Sequence, residues 1–285
     1  MTSPLLSFAA WAARRMPMGA RRAIYRFEPL AEFVRHKLNR AAPKGLTEVA
    51  IAAGGLAGLS MSLDLQCEKD YWLGTYEPEL QAAIDRLVHP GMVVYDVGAN
   101  IGYVSLLLAR RVGESGKVFA FEALSSNLER LRDNLDLSGF SRTVEVVAAA
   151  VVDNERPVRF LFGPSGGMGK AEGSAGRQDV SYTEAHEVSG ISLDAFVYRM
   201  NKPIPQVVKM DIEGGEILAL PGMRRLLAEA QPLVFLELHG PEAAQVAWEE
   251  LKNASYRLCH MRADFPEVNT LEELDWKAYA VAFRD

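Results

Sequence analysis

Three carboxylates and a lysine lie close together at the end of an apolar segment in the second half of the chain. Residues 207–211 read Val-Val-Lys-Met-Asp, and Glu213 and Glu216 follow Asp211 closely. Acidic groups this near one another repel, so they are favoured around a cation, a sulfonium or a proton to be removed. Lys209 offsets part of the charge, and Glu216 also suits the positive N-terminal end of a helix. The pattern therefore indicates a reaction centre at Asp211.

A second apolar segment, residues 233–239, ends in an acid and a histidine. In a strand, alternation places Glu237 and His239 on the same face. If this strand neighbours the one that ends at Asp211, the three side chains meet. His239 is then a candidate general base oriented by Glu237, and the three residues are also candidate metal ligands. The alternative for His239 is a hydrogen-bonded structural role.

A glycine-containing turn follows an earlier apolar segment, and its spacing discriminates between nucleotide cofactors. The dinucleotide fingerprint G-x-G-x-x-G needs its second glycine for close approach to a pyrophosphate. Here Asn100 occupies that position and Tyr103 the third, which argues against NAD and favours a nucleoside ligand without a pyrophosphate. A purely structural turn is the alternative. The candidate cofactor-binding residues of this turn are Asp96, Gly98, Ala99, Asn100, Gly102 and Tyr103.

Glu122 ends the next strand-like segment, 117–122. A carboxylate at this place can accept both ribose hydroxyls of an adenosine, a device that NAD and S-adenosylmethionine share. Tyr76 and Glu77 precede the first of these strands and are candidates for covering the cofactor. Trp72 is expected in the core.

These residues can meet only if the carboxyl ends of their strands lie at the same edge of one sheet. Apolar strands at 92–97, 117–122, 144–151, 207–211 and 233–239 alternate with helical patterns at 103–112, 127–137, 216–230 and 242–253. Two further strands are expected at 256–261 and 279–283, with an antiparallel strand at the edge. This alternation predicts a doubly wound, mainly parallel α/β sheet with helices on both faces. Ligands bind such sheets at the carboxyl ends of the strands, near the point where strand order reverses.

The remaining segments frame this core. Residues 46–90 predict a β-hairpin around Gly54-Gly55 and a helix at 79–88. Residues 163–190 contain seven glycines and little periodicity, which predicts a long loop without regular structure. We expect this loop to be a lid over the site, with local disorder as the alternative. His186 within this segment is a weaker candidate for chemistry.

Charge separates the first 45 residues from the rest. Residues 1–45 hold nine basic and two acidic residues, a net charge of +7, whereas the whole chain of 285 residues has a net charge of −6. Apolar residues recur at helical spacing here, so a basic helical N-terminal extension is expected, with contact to an anionic membrane as one role and a solvated face as the alternative. The acidic remainder does not resemble a general nucleic-acid binder.

Two cysteines exclude a disulfide scaffold. The first apolar run is too short to span a bilayer and lacks a preceding basic region, so a secretory signal is not expected. The expected location is the cytoplasm, with membrane association through residues 1–45. The oligomeric state is not determined by these residues.

Together the motifs resemble the FkbM-type family of S-adenosylmethionine-dependent methyltransferases. The resemblance rests on residues 94–103, 118–122, 192–194, 209–216 and 232–237, with the Lys-Met-Asp-Ile-Glu-Gly-Gly-Glu stretch the most specific. Ala123 departs from the proline usual in the family. The N-terminal 45 residues lie outside these motifs and inherit no role.

The resemblance implies a seven-stranded class I (Rossmann-like) methyltransferase domain over 91–285. It implies O-methylation, with hydroxyls of sugars, glycans or natural products as acceptors, and Mg²⁺ as an additional cofactor of related sugar methyltransferases. The alternatives are an NAD(P)-dependent oxidoreductase, disfavoured by Asn100, and a non-catalytic nucleoside-binding module, disfavoured by the acids at 211–216.

Overall fold

The computed structural model describes residues 4–15, 36–38, 40–163, 169–176, 182 and 184–284. Its strands in chain order are β1 (Leu46–Ala50), β2 (Ser60–Asp64), β3 (Val93–Val97), β4 (Lys117–Glu122), β5 (Val144–Ala148), β6 (Ala150–Val151), β7 (Val158–Phe162), β8 (Lys170–Ala171), β9 (Glu184–Val188), β10 (Gly190–Ile191), β11 (Val207–Met210), β12 (Leu233–His239), β13 (Arg257–His260) and β14 (Lys277–Phe283). Its α-helices are α1 (Pro4–Arg15), α2 (Lys69–Leu73), α3 (Pro78–Leu87), α4 (Tyr103–Val112), α5 (Ser125–Ser138), α6 (Glu216–Ala219), α7 (Arg224–Glu229) and α8 (Pro241–Asn253).

Seven strands form one sheet in the order β13-β14-β12-β11-β3-β4-β5. Strands β3, β4, β5, β11 and β12 pair in parallel, and β14 is antiparallel to both of its neighbours. The predicted doubly wound α/β architecture with seven strands is confirmed. The strand order reverses between β3 and β11, so the carboxyl ends of these two strands form the crevice in which such sheets bind ligands.

The antiparallel strand was predicted at the edge of the sheet, and this position is wrong. β14 lies between β12 and β13, with Val234 opposite Ala282 on one side and Leu258 opposite Ala282 on the other. A strand paired on both sides and covered on both faces favours a continuous apolar run. Ala280, Val281 and Ala282 are fully buried and provide that run.

Alternating side chains of the central strands divide the core between the two faces. Val94, Val118, Ala120, Val207 and Phe235 contribute to the first face, which α1, α3, α4 and α5 cover. The adjacent residues on the same strands contribute to the second face, which α6, α7 and α8 cover. Fully buried strands therefore read as continuous apolar segments in the sequence, because both faces are covered.

The N-terminal helix packs on the first face of the sheet. Leu6 and Ala13 are buried in that core, and Arg14 Nε donates a hydrogen bond to the Ala52 carbonyl at 3.2 Å. The predicted hairpin is present, with β1 and β2 paired antiparallel and Leu46 opposite Asp64. The rest of the predicted N-terminal helical pattern, 16–35 and residue 39, lies outside the described residues. None of the described helices combines the length and apolarity needed to cross a bilayer.

Sequence reasoning missed a three-stranded antiparallel sheet formed by β7, β8 and β9. Two of these strands fall within 163–190, which was predicted to lack regular structure, so that prediction is wrong for the described part of the segment. Residues 164–168, 177–181 and 183 lie outside the described residues. These strands pair with each other across long connections, and β8 has only two residues, so local periodicity could not reveal them.

Two predicted elements are interrupted. The strand at 144–151 divides at Ala149, after which β6 leaves the main sheet and pairs with β10. The helix at 216–230 divides into α6, a 3₁₀ turn at Leu220–Met223, and α7. Pro221 has no N–H to donate within a helix, which explains the second interruption.

Candidate active site

The ends of β3 and β11 meet at Gly98 and Asp211. Asp211 N donates to the Val97 carbonyl at 3.1 Å, continuing the parallel ladder beyond the strands. Gly98 has a φ of +81°, and a Cβ there would lie 1.9 Å from the Asp211 carbonyl oxygen. Gly98 was predicted to be a cofactor-binding residue. The structure gives a different reason for the glycine, because its absent side chain lets two strand ends come into contact.

The turn after β3 is fastened to Glu122. Asn100 has a φ of +50° and donates its N–H to Glu122 Oε2 at 2.8 Å. The other carboxylate oxygen accepts the N–H groups of Ala123 and Leu124, each at 2.8 Å. Burial raises the pKa of Glu122, although these hydrogen bonds oppose the shift. The carboxylate is thus fixed in orientation and retains lone pairs for a ligand's hydroxyls.

A cavity of about 280 Å³ opens beside this turn. Most of the predicted cofactor-binding residues contribute to its wall, namely Gly98, Ala99, Asn100, Tyr103, Glu122 and Tyr76. The structure therefore brings together residues from the two motifs that were predicted to bind one nucleoside. Phe160, Gly169 and Ala171 close another side, so the β7–β9 sheet borders the cavity. Whether this region moves as a lid stays a prediction.

Three of the predicted cofactor-binding residues do not line the cavity. Asp96 is fully buried beneath the turn, where it accepts a hydrogen bond from Ser105 Oγ at 2.6 Å and pairs with Lys209 Nζ at 3.2 Å. Gly102 has a φ of +94°, and a Cβ there would lie 2.6 Å from Leu131 of α5. Asp96 and Gly102 therefore position the turn. The third residue, Glu77, faces the acidic residues beyond the cavity.

Three tyrosines form one wall of the cavity. The ring centroids of Tyr71 and Tyr76 are 4.5 Å apart, those of Tyr71 and Tyr103 are 4.8 Å apart, and those of Tyr76 and Tyr103 are 5.7 Å apart. Burial raises the pKa of each hydroxyl, so the rings stay neutral. Tyr71 was missed by sequence reasoning, since it lies in the short helix α2, which was also missed. Trp72 is in the core, as expected.

Asp211, Glu237 and His239 converge beyond the cavity. Their strands β11 and β12 are neighbours, as the sequence prediction required. His239 Nε2 lies 3.1 Å from Glu237 Oε1, and His239 Nδ1 lies 3.9 Å from Asp211 Oδ1. His239 and Glu237 are buried, whereas the Asp211 side chain is 18% exposed and reaches the cavity wall. Lys277 at the start of β14 forms an ion pair with Glu237.

Further acids surround this group. Glu216 Oε1 lies 3.8 Å from His239 Nδ1, and Glu213 Oε2 lies 3.9 Å from His239 Nε2. Glu216 Oε1 also accepts the N–H of Ile212 at 3.0 Å, so this carboxylate stabilises the turn after β11. We refer to Asp211, Glu213, Glu216, Glu237 and His239 as the acidic cluster.

Burial and neighbouring charges together shift the pKa values of this region. Burial, together with the charge of Glu237, raises the pKa of Asp211 to about 7, although Lys209 opposes this shift. Burial, Glu237 and Asp211 raise the pKa of Glu77 to about 8. Burial alone would lower the pKa of Lys209, but Asp96 and Asp211 raise it. Burial is the largest cause for the two carboxyl groups, and the surrounding negative charge adds to it and favours bound cations.

The same charge affects His239. Although burial opposes its charged form, Glu216, Glu237 and Asp211 raise the pKa of His239 to about 10. Burial would raise the pKa of Glu237, but His239 and Lys277 lower it to about 2. An imidazole with this pKa keeps its proton at neutral pH, so this arrangement does not suit His239 as a general base.

His186 does not join the site. It lies on β9 with its side chain 63% exposed, 3.9 Å from Glu184. Lys277 and Glu77 were not expected beside the acidic cluster. Lys277 begins β14, whose position inside the sheet was not predicted, so its proximity to Glu237 could not be expected. Glu77 was expected to cover the cofactor.

Residues 96–270 match the family model described as the methyltransferase FkbM domain. The chain belongs to this family. The matched residues contain the glycine turn, Glu122 and the acidic cluster, whereas α1 and the β1–β2 hairpin precede them.

Two curated relatives match parts of the chain. The hexuronic acid methyltransferase AglP of Haloferax volcanii is 30% identical over 151 residues, which are 52% of this chain and 56% of that protein. The protein-L-isoaspartate O-methyltransferase of Aeropyrum pernix is 47% identical over 58 residues, 20% of this chain and 22% of that protein. The matched regions therefore cover about half of AglP and about a fifth of the Aeropyrum pernix protein.

Among solved structures, the methyltransferase FkbM from Methylobacillus flagellatus KT is similar at a TM-score of 0.43 with 20% identity. That similarity covers 77% of this chain and 53% of the other.

Proposed function

We propose that this chain transfers a methyl group from S-adenosylmethionine to a hydroxyl oxygen of a sugar or a similar polyhydroxylated acceptor. The observation that carries the proposal is the position of Asp211. It lies on the wall of the nucleoside-sized cavity and within the acidic cluster, so cofactor and acceptor would meet at its carboxylate.

The cavity fits the cofactor in charge and in hydrogen-bonding groups. S-adenosylmethionine supplies a methyl carbon on a positive sulfonium, which an acceptor oxygen can attack while a neutral thioether leaves. Glu122 would accept the ribose hydroxyls, because its oxygens are already aligned by three backbone N–H groups. The aromatic wall of Tyr71, Tyr76 and Tyr103 would contact the ligand with neutral π-faces, which attract cations.

Asp211 is the residue best placed to act on the acceptor. A neutral alcohol is a weak nucleophile, so a carboxylate within reach should take its proton as the oxygen attacks. Glu237 and His239 are buried behind Asp211 and hold their positions through contacts with each other and with Lys277. Holding the acceptor in line with the methyl carbon would supply much of the rate enhancement.

Charge favours a hydroxyl over a carboxylate as the attacking group. The acidic cluster would repel a second anion beside Asp211, whereas a neutral hydroxyl meets no such cost. AglP is named for a hexuronic acid, which supports a sugar as the acceptor.

Titration calorimetry and a transfer assay test this proposal. We expect the protein to bind S-adenosylhomocysteine and not NADH, and to move labelled methyl from S-adenosylmethionine to members of a panel of neutral sugars, uronic acids and glycans. The variant Asp211→Asn should bind S-adenosylhomocysteine within about threefold of the parent and lose roughly 10²-fold or more in turnover. Asp85→Asn, a change at an exposed carboxylate on α3, is the matched control.

Binding of NADH in place of S-adenosylhomocysteine would contradict the proposal. Unchanged turnover in Asp211→Asn would remove Asp211 from the reaction.

A further inference from the structure

We propose that Asp211, Glu237 and His239 form a divalent-cation site that holds the acceptor oxygen. This inference rests on the proposed function and adds a ligand to the same site. It assigns a role to Glu237 and His239, which lie behind Asp211 and do not line the cofactor cavity themselves.

The spacing of the three side chains suits a single ion. One ligand atom from each residue can be chosen so that all three lie within 4.8 Å of one another. Ligands at about 2.1 Å from an ion are about 3 Å apart when adjacent and about 4.2 Å apart when opposite. The three ligand atoms are thus slightly farther apart than in a formed site, and side-chain movement toward the ion would complete the coordination.

Buried atoms without partners provide independent support. Among the described residues, no hydrogen-bond partner is present for Glu237 Oε2, His239 Nδ1 or Glu216 Oε2, although these residues are 5%, 2% and 0% exposed. The contacts of His239 Nδ1 with Asp211 and Glu216 are 3.9 and 3.8 Å, too long for hydrogen bonds. Buried polar atoms are rarely left unpaired. A cation among them would satisfy His239 Nδ1 and Glu237 Oε2 together.

The charge balance of the acidic cluster favours a divalent cation. The acidic cluster contains four carboxylates, and Glu77 lies close enough to interact electrostatically with Glu237 and Asp211. Two lysines approach it. Lys277 pairs with Glu237 Oε1, and Lys209 lies 4.0 Å from Asp211 Oδ2 but 3.2 Å from Asp96 Oδ1. Four carboxylates therefore face two lysines and the imidazolium of His239, so negative charge is in excess. Binding of an ion would displace the proton of His239 and increase that excess.

Two carboxylates and an imidazole form a ligand set that suits Mn²⁺ and similar divalent ions and leaves coordination positions open. An acceptor hydroxyl in an open position would become more acidic. Its oxygen would then form the bond to the methyl carbon as the carbon–sulfur bond breaks. The hydroxyl proton would pass to the Asp211 oxygen that does not bind the ion.

Direct Mn²⁺ titration tests this site without the acceptor. Electron paramagnetic resonance measures free Mn²⁺ as it is added to the full chain with S-adenosylhomocysteine present. We expect one saturable ion per chain. Asp211→Asn and His239→Gln should each weaken the affinity about tenfold or more, whereas His260→Gln should not. His260 is the matched control, because it is a histidine on β13 that lies 3.6 Å from Glu273.

A gain-of-affinity variant separates ion binding from loss of folding. Lys277→Met removes a cation that competes for Glu237 and should tighten Mn²⁺ binding several-fold. No saturable Mn²⁺ binding by the parent chain, or equal binding by Asp211→Asn and His239→Gln, would overturn the cation site. Weaker Mn²⁺ binding by Lys277→Met would contradict the placement of the ion beside Glu237.

Binding of S-adenosylhomocysteine, measured in the same samples, distinguishes the two proposals. If S-adenosylhomocysteine binds and Mn²⁺ does not, only the cation site fails. If S-adenosylhomocysteine does not bind, the proposed methyl transfer fails whatever the result with Mn²⁺.

Discussion

The Glu122 carboxylate is aligned by the backbone before any ligand binds. Its oxygens accept N–H groups from Asn100, Ala123 and Leu124. These contacts connect the end of β4 with the turn after β3. A ligand that hydrogen-bonds Glu122 therefore meets an acceptor that needs no reorientation, which reduces the entropy lost on binding.

We expect Glu122→Gln to weaken S-adenosylhomocysteine binding by roughly tenfold or more. The amide has one acceptor oxygen in place of two, so it turns an N–H group toward either the backbone donors or the ribose hydroxyls. Calorimetry measures the change, and Glu145→Gln on β5 is the control. Equal affinities of parent and Glu122→Gln would show that Glu122 serves only the turn.

Gly98 tests the contact between the ends of β3 and β11. We expect Gly98→Ala to lower the free energy of unfolding by about 3 kcal/mol or more, because the new Cβ meets the Asp211 carbonyl and the backbone has a positive φ. Chemical denaturation measures this change.

Gly139→Ala is the matched control for Gly98→Ala. Gly139 has a φ of +76°, and a Cβ at this position would have open space around it to a distance of 4 Å. Its substitution should therefore show the conformational cost alone, about 1–2 kcal/mol. Equal losses at both positions would contradict the strand-end contact as the reason for Gly98.

At the scale of elements, the segment after β8 joins the cavity to the turn after β11. Ala175 N donates to the Gly214 carbonyl at 3.0 Å. A Cβ on Gly214 would lie 2.4 Å from the Ala175 carbonyl group, so two backbones touch here. Residues of the predicted lid that the structure describes are thereby attached to the element that carries Asp211.

Helix α1 has apolar residues on two faces. Leu6 and Ala13 are buried in the core, whereas Phe8 and Trp11 are 62% and 50% exposed and stack at 5.7 Å. Arg15 lies over the Trp11 ring. Exposed aromatics beside basic residues are typical of helices that bind an anionic lipid surface.

We expect the full chain to sediment with vesicles that contain anionic lipid, and the double variant Phe8→Ser/Trp11→Ser to lose about tenfold in partition. The reason is the loss of apolar area that would enter the interface. Ile204→Ser removes a comparably exposed apolar residue elsewhere and should not change partition. If the helix variant sediments like the parent, membrane contact through α1 is excluded.

At the scale of the whole molecule, ligand binding should be coupled to folding. The cavity draws its walls from β3, β4, β11, the β7–β9 sheet and the tyrosines near α2. A ligand there contacts segments that are far apart in the chain and come together only in the folded state.

We therefore expect S-adenosylhomocysteine at about 100 times its Kd to stabilise the chain by about 2.7 kcal/mol, seen as a concentration-dependent rise in Tm. NADH at the same concentration should leave Tm unchanged. A ligand that binds by calorimetry but fails to raise Tm would show comparable affinity for the unfolded chain and would contradict this cavity as its site.

Some features were determined by the sequence alone. Buried parallel strands and amphipathic helices leave local patterns, so the alternation, the hairpin and the strand ends at Asp96, Glu122 and Asp211 were predictable. Motif spacing also indicated a nucleoside cavity, because turn geometry depends on adjacent residues. The family match to residues 96–270 agrees with the resemblance found from these motifs.

Other features of the fold and of the site depend on the tertiary structure alone. Strand order placed β14 inside the sheet and so brought Lys277 to Glu237, and short strands created the β7–β9 sheet. Neighbouring acids from two strands and a helix raise the pKa of His239 against the effect of burial. These outcomes depend on contacts between residues distant in the chain, and such contacts leave no periodic signal in the sequence.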